Sequence, residues 1–220
     1  MNKKKQTPKI KAPDLPSYLE KQIISPSFLR DDERIQLVEI EGQTFNGVDL
    51  DKLYFEKVRF KDVIFEECSL KHIELVDVIF INCDLSNVDF SDAIIHHVEF
   101  KACKLMGTNL SGATLRHVTI EGCHADYASF GFTNCKHVLY KESSLNRSDF
   151  YEARFKHTSF FSCKLDQANL AGIELSGVDL STCLFDKLTV SIEKLEGCII
   201  SSEQAIGFAK ILGLVIMERE

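Results

Sequence analysis

From Ile40 to Ile200 every fifth residue is large and apolar, with two small exceptions, Ala125 and Cys135, and no charged one. The stretch CDLSNVDFSDA (83 to 93) shows the spacing at close range, with Leu85 and Phe90 five residues apart. A half-buried strand alternates every second residue and a helix returns to the same face every third or fourth, so neither has a period of five. Two residues before each large position stands a mostly small or β-branched one. The unit is therefore small–x–large–x–x, and its phase never slips over 33 such positions.

An extended chain explains the pair. Residues i and i−2 point to one side of a strand and i−1 to the other. Alternation cannot continue through five residues, so the remaining ones must turn a corner. Eight of the eleven glycines, Gly42, Gly107 and Gly172 among them, fall two residues after the large position. A corner with φ > 0 tolerates glycine there. A short face and a corner, repeated four times, close a square coil of twenty residues. The cysteines support that number: Cys83, Cys103, Cys123, Cys163 and Cys183 share one register of twenty, with Ser143 in the gap. Parallel crossovers are right-handed almost without exception. The expected fold is all-β, a right-handed quadrilateral parallel β-helix of about eight coils spanning residues 36–200.

Such a rod leaves strand edges and an apolar bore open at both ends, so caps are needed. Residues 1–35 break the phase and read as an N-terminal arm and cap. Lys3 to Pro13 looks like a basic arm, and Ser17 and Glu20 in capping-box spacing predict a short helix over 17–24, ended by Pro26. Residues 201–220 read as a C-terminal helix and apolar tail. Ser201 or Ser202 offers the N-cap and Gly213 the stop. A monomer would leave the apolar run from Leu214 to Met217 wet. Dimerisation through Ile206, Phe208, Leu212, Leu214, Val215 and Ile216 follows as the expectation, in line with the prevalence of two-fold homodimers.

The totals exclude more than they explain. A formal charge of −7 argues against non-specific nucleic-acid binding. No apolar run reaches membrane-span length, and the basic start MNKKKQTPKIKAP lacks the apolar core of a secretory signal. A cytoplasmic protein with reduced cysteines is expected. Ser143 and Val63 share the cysteine column, so the slot selects size and not sulfur. No zinc spacing, nucleophile–base pair, phosphate loop or acid pair stands out, so no enzyme, metal or cofactor is expected. His97, His117, His137 and His157 lie twenty apart and predict an outward ladder along one corner, either solvated or able to take a transition metal.

Charge is the outward feature with a shape. Between Asp62 and Glu99 stand nine acids (Asp62, Glu66, Glu67, Glu74, Asp77, Asp84, Asp89, Asp92, Glu99) against one base, Lys71. That is roughly 10 Å of rod at strand spacing, a linear density comparable to duplex DNA. Asp149 extends an acidic–amide stripe that begins at Asp49 and Asp89.

The motifs DLSNVDFSDA and NLSGATL (109 to 115) resemble the A(D/N)Lxx unit of pentapeptide-repeat proteins. Within that family HADYASF (124 to 130), EQAIGFAKILGLVI (203 to 216) and the DLP of residues 14–16 resemble the Qnr group, in its Gram-positive chromosomal branch. The resemblance implies a dimeric β-helix that binds the type II topoisomerases, DNA gyrase and topoisomerase IV, by DNA mimicry and protects them from fluoroquinolones. Loops that interrupt the repeat in Gram-negative members are absent between residues 40 and 200, and the Lys3–Lys5 arm departs from a uniformly acidic mimic. A pentapeptide-repeat scaffold for another protein partner is the alternative.

Overall fold

The structure is a computed structural model that describes residues 9–211 and 213–217. Its frame is a parallel β-solenoid of about eight four-sided turns with one short C-terminal helix. Strands pair at a constant offset of twenty: Phe60 lies beside Phe80, Phe80 beside Phe100, and Val98 beside Val118. A ten-stranded sheet covers the fourth and first faces. Its main path runs β1 (Glu20–Lys21), β2 (Val38–Glu41), β3 (Arg59–Lys61), β4 (Glu74–Ile81), β5 (Ile94–Lys101), β6 (Thr114–Glu121), β7 (Asn134–Lys141) and β8 (Arg154–Phe161). The other two faces are held by short strands and single parallel bridges, such as Asp89↔Asn109.

The five-residue phase governs burial. Ile40, Phe60, Leu85, Phe90, Ile95 and Leu145 are among the residues lining a closed bore, with Val88, Cys103 and Ala113 filling it from the i−2 positions. Because coils repeat at the strand spacing, rings in one column stack face to face. Phe60 and Phe80 lie 4.7 Å apart, Phe80 and Phe100 4.9 Å, and Phe130 and Phe150 4.7 Å. The corners carry the expected positive φ, and glycine is only one way to supply it: Asn87, Asp92, His97 and Lys52 all sit at φ between 54° and 59°. Asn and Asp tolerate that region better than most residues, and at the remaining corners the stacked coils fix the conformation.

All eight cysteines are free, and seven are buried. Their column is a hydrogen-bonded file inside the bore, in which Cys103 N–H meets Cys123 Sγ at 3.4 Å and Cys123 N–H meets Ser143 Oγ at 3.0 Å. One turn of the solenoid contains the one tyrosine of the core. Tyr140 is fully buried and stacks on Phe160 at 4.8 Å. Its coil also holds Ala125 and Cys135, the two small exceptions in the apolar series, whose missing volume accommodates the added hydroxyl.

At the N-terminal end the predicted helix over 17–24 does not form. Glu20 and Lys21 are instead a strand, β1, paired in parallel with β2 at Val38 and Glu39. Ile24 N–H continues the attachment by donating to Gln43 Oε1 (3.0 Å), and Leu19 is buried against the first coil. An open sheet edge offers a row of hydrogen bonds that a short isolated helix cannot match, so edge pairing outweighs the capping-box signal. Pro26–Phe28 is a single 3-10 turn.

The C-terminal end follows the sequence closely. α1 (Ser202–Ile211) begins with a reciprocal capping box: Gln204 N–H donates to Ser201 Oγ (3.2 Å) and Ser201 N–H to Gln204 Oε1 (2.9 Å). Gly213 stands at φ +77° after the last turn. The helix is tied across the last coils by Gln204 Nε2, which donates to the carbonyls of Leu180 and Cys183. Among the described residues no helix is long and apolar enough to cross a membrane.

Candidate functional site

The acids from Asp62 to Glu99 do not form one uniform patch, because the corner and face geometry gives them different tasks. Asp84, Asp89 and Asp149 occupy the i−1 position, and each accepts the N–H two residues on, from Ser86 (3.1 Å), Ser91 (2.9 Å) and Tyr151 (3.0 Å). These are Asx turns, which bend the chain toward the next corner. Asp89 and Asp149 also accept amide hydrogen bonds from the next coil, from Asn109 (2.9 Å) and Asn169 (2.8 Å). The acidic–amide stripe is thus a side-chain ladder clamping successive coils. Asp84 is paired with Lys104 at 3.0 Å; burial pushes its carboxyl up, and the hydrogen bonds from Ser86 and Lys104 together outweigh it and hold the group below the usual carboxylate range.

Asp77 lies at the corner between the fourth and first faces and is 9% exposed. The N-terminal segment covers it: Asp14 N–H donates to Asp77 Oδ1 (3.0 Å), and Asp14 pairs with Lys57 at 2.9 Å. Glu99 is mostly shielded beside Lys101 (2.7 Å), and Glu74 is half-buried. The acids that stay open are Asp62, Glu66, Glu67 and Asp92. The first three lie along one face of a single coil and its two flanking corners, and amide donors reach two of them: Asn82 on Asp62 (3.1 Å) and Asn46 on Glu66 (3.1 Å).

The histidines form the expected ladder. Ring centroids are 5.2 Å apart from His97 to His117, 4.7 Å from His117 to His137 and 4.8 Å from His137 to His157. His117, His137 and His157 stack face to face, which aims their ring nitrogens along parallel planes instead of at a shared point, and His97 is tilted by 39° against His117. Among the described residues no group of three or more His, Cys, Asp or Glu is placed to hold a metal ion. The arm also reaches this corner, where Lys11 N–H donates to His117 Nδ1 (3.3 Å). Burial, then the neighbouring His137 and His97, hold the His117 imidazole down to about 4.

Of the proposed dimer residues, Phe208 is buried and packs on Phe185 of the same chain, with centroids 6.0 Å apart. Ile206, Leu214, Val215 and Ile216 are exposed, and Leu212 lies outside the described residues, as do Lys3 to Lys5.

One charged feature escaped sequence reasoning. Arg116, Lys136 and Lys156 stand in direct register on the fourth face, next to the histidine corner. None of them has a carboxylate within salt-bridge distance among the described residues. The same sorting by twenty that revealed the histidines would have shown it. The rod is therefore two-sided, with open acids near its start and a basic column beyond its middle.

Comparison with known proteins agrees with the fold. A pentapeptide repeat region model matches residues 73–150. No curated protein matches the sequence. Among solved structures, HetL, a pentapeptide repeat protein involved in heterocyst differentiation regulation in the cyanobacterium Nostoc, is 19% identical, with 78% of this chain and 86% of HetL covered and a TM-score of 0.65. Full-length QnrB1, a plasmid-mediated fluoroquinolone resistance protein, is 17% identical, covering 83% of this chain and all of QnrB1, at a TM-score of 0.32. Of these two, the HetL likeness is the one that bears on architecture. What this chain shares with pentapeptide-repeat proteins is the repeat over residues 73–150 and, over most of its length, the β-solenoid fold.

Proposed function

We propose that this chain is a non-catalytic binding protein that presents its acidic first half to the DNA-binding surface of a type II topoisomerase, DNA gyrase or topoisomerase IV, and so protects it from fluoroquinolones. The observation that carries the reading is the surplus of nine acids over one base from Asp62 to Glu99 on a stiff, narrow rod. Among the described residues no cation lies within salt-bridge distance of its open carboxylates at Asp62, Glu66 and Glu67, so their field is available to a basic cleft. Asp84, Asp89 and Asp149 contribute charge while fixing its position, as ladder residues do. The Qnr-like segments 124–130 and 203–216 point to the same partner. A homodimer joined through the exposed Ile206 and Leu214–Ile216 would double the length of the acidic rod.

Titrating the purified protein into gyrase supercoiling reactions with and without ciprofloxacin tests this. Restored supercoiling in the presence of drug, weakened when Asp62, Glu66 and Glu67 are replaced by their amides, is the expected result. No rescue and no inhibition at any dose would end the reading. The second reading, a scaffold for a different protein partner, is favoured by the basic column at Arg116, Lys136 and Lys156, which a DNA mimic has no use for. Affinity capture that returns no topoisomerase subunit but one other protein reproducibly would decide for it.

A further inference from the structure

The solenoid is not continuous on all four faces. At steps of twenty, the first N–H of the fourth face donates to the preceding coil, from Glu74 to Leu53, Ile94 to Ile73, Thr114 to Ala93, Asn134 to Ala113 and Arg154 to Thr133. The series ends there; among the described residues no such bond joins Glu174 to Ala153. β8 is accordingly the last strand of the ten-stranded sheet. The cause is a change of corner. From β4 to β8 the chain passes from fourth to first face in one extended run. One coil later the corner is a hydrogen-bonded turn, with Val178 N–H on the Leu175 carbonyl (3.0 Å) and Gly177 at φ +78°. In the next coil a 3-10 turn at Ile192–Lys194 replaces the strand altogether. The two corner types do not superpose, so residues 174–176 fall away from residues 154–157.

A cleft of about 750 Å³ opens at this break. Phe155, a bore position that is closed in the coils above, is partly exposed within it. Phe132 and Tyr151 form an edge-to-face pair on its rim, 5.5 Å apart and 59% and 40% exposed. In a parallel ladder alternate N–H groups point to opposite sides. With Arg154 bonded to the coil above, the N–H groups of Phe155 and His157 face the break, as that of Lys57 faces Val76 in an intact coil. Arg154 and Lys156 flank this edge, and Lys156 ends the unpaired basic column.

We propose that the β8 edge and its cleft dock an extended acidic peptide that carries an aromatic side chain, adding it to the solenoid as a strand. Exposed edges are normally covered, and strand addition is a general mode of peptide recognition. The charge argues for an acidic partner: Arg116, Lys136 and Lys156 lie in a ladder of like charges, which costs stability until a counter-charge arrives. Polarity along the site follows as well. Glu152 lines the cleft beside Tyr151, and Glu174 and Glu193 line its far wall, Glu174 with Lys194 on it (3.2 Å), so the aromatic residue sits against Phe132 and Tyr151 and the acids run over Arg154 and Lys156.

The test is fluorescence polarisation of the full chain with a fluorescein-labelled nonapeptide, a phenylalanine followed by glutamates alternating with valines. Saturable binding is expected. Methylating alternate backbone nitrogens of the peptide, on the edge-facing side, should weaken it at least tenfold, the equivalent of about 1.4 kcal/mol. The pair Arg154→Glu and Lys156→Glu, with circular dichroism unchanged, should weaken it by a similar factor. Hydrogen exchange should show new protection at the Phe155 and His157 amides. Equal binding of the N-methylated peptide, no saturation, or no protection at those amides would overturn the proposal. So would tighter binding of an oligothymidylate, since basic columns with exposed aromatics also suit single-stranded nucleic acid.

Discussion

Tyr140 offers a sharp test of how the bore is packed. It is fully buried, and the polar group beside its hydroxyl is the Cys135 thiol, a weak acceptor that falls short of good hydrogen-bond geometry. The Cys135 thiol beside it is engaged with Thr133 Oγ1 at 3.5 Å, and burial drives the phenol well above its ordinary pKa. An orphaned buried hydroxyl costs roughly 1–3 kcal/mol in lost hydration. In Tyr140→Phe that cost disappears, while the ring keeps its stack on Phe160 (4.8 Å) and its edge contacts with Phe130 and Phe150 (both 5.6 Å). The vacated space, on the order of 10 Å³, returns only about 0.2 kcal/mol of that gain. The net expectation is stabilisation of about 1 kcal/mol. With a urea slope of about 2 kcal/mol/M, the midpoint moves up by roughly 0.5 M. The reciprocal change, Phe80→Tyr, places an unpartnered hydroxyl in the closed column between Phe60 and Phe100 and should destabilise. A loss of 1 kcal/mol or more in Tyr140→Phe would refute the reasoning, because it would mean that the hydroxyl has a partner. Cys135→Ala would then reproduce the loss.

Other consequences are open to simple assays. Ellman's reagent should label at most Cys198 in the folded protein and all eight thiols in guanidinium; rapid labelling of several would contradict the buried column. The folded pKa of His117, about 4, lies below the ordinary value of 6.5, so the folded state binds fewer protons than the unfolded one in that interval. Melting temperature should therefore be level above pH 6.5 and fall as pH drops toward 4, less steeply in His117→Asn; a profile in which the two proteins coincide would remove the histidine corner from the explanation. Charged substitutions at Ile206 and Leu214 should convert a dimer to a monomer in sedimentation, and an unchanged mass would place any interface elsewhere.

Where the repeat is regular, sequence and structure coincide residue by residue. The phase of five identified Leu85 and Phe90 as bore residues and Cys83 and Val88 as their neighbours, and all four are buried. The glycine positions marked corners whose positive φ His97 and Asp92 share. The helix start at Ser201 was legible because an N-cap is local, and the structure adds Gln204 as its reciprocal partner. What depends on the stacked coils was not legible. SYLEKQII has a helical start signal, yet the sheet edge beside it decides its conformation, and that edge exists only once the coils are stacked. The cleft below β8 was invisible for a related reason: LSGVDL (175–180) keeps the phase perfectly while changing the kind of corner. The acids were legible as a cluster but not as individuals. Nothing local separates the covered Asp77 from the open Glu67, because the arm that covers Asp77 comes from Asp14, 63 residues away.

The most direct measurement is a competition experiment: the affinity of the labelled protein for gyrase at increasing concentrations of unlabelled duplex DNA. If the acidic half occupies a DNA-binding surface, duplex should displace it competitively, and Asp62→Asn, Glu66→Gln and Glu67→Gln together should lower the affinity and its salt dependence. Binding to gyrase that is unaffected by saturating duplex, or unchanged by loss of the three charges, would contradict the account.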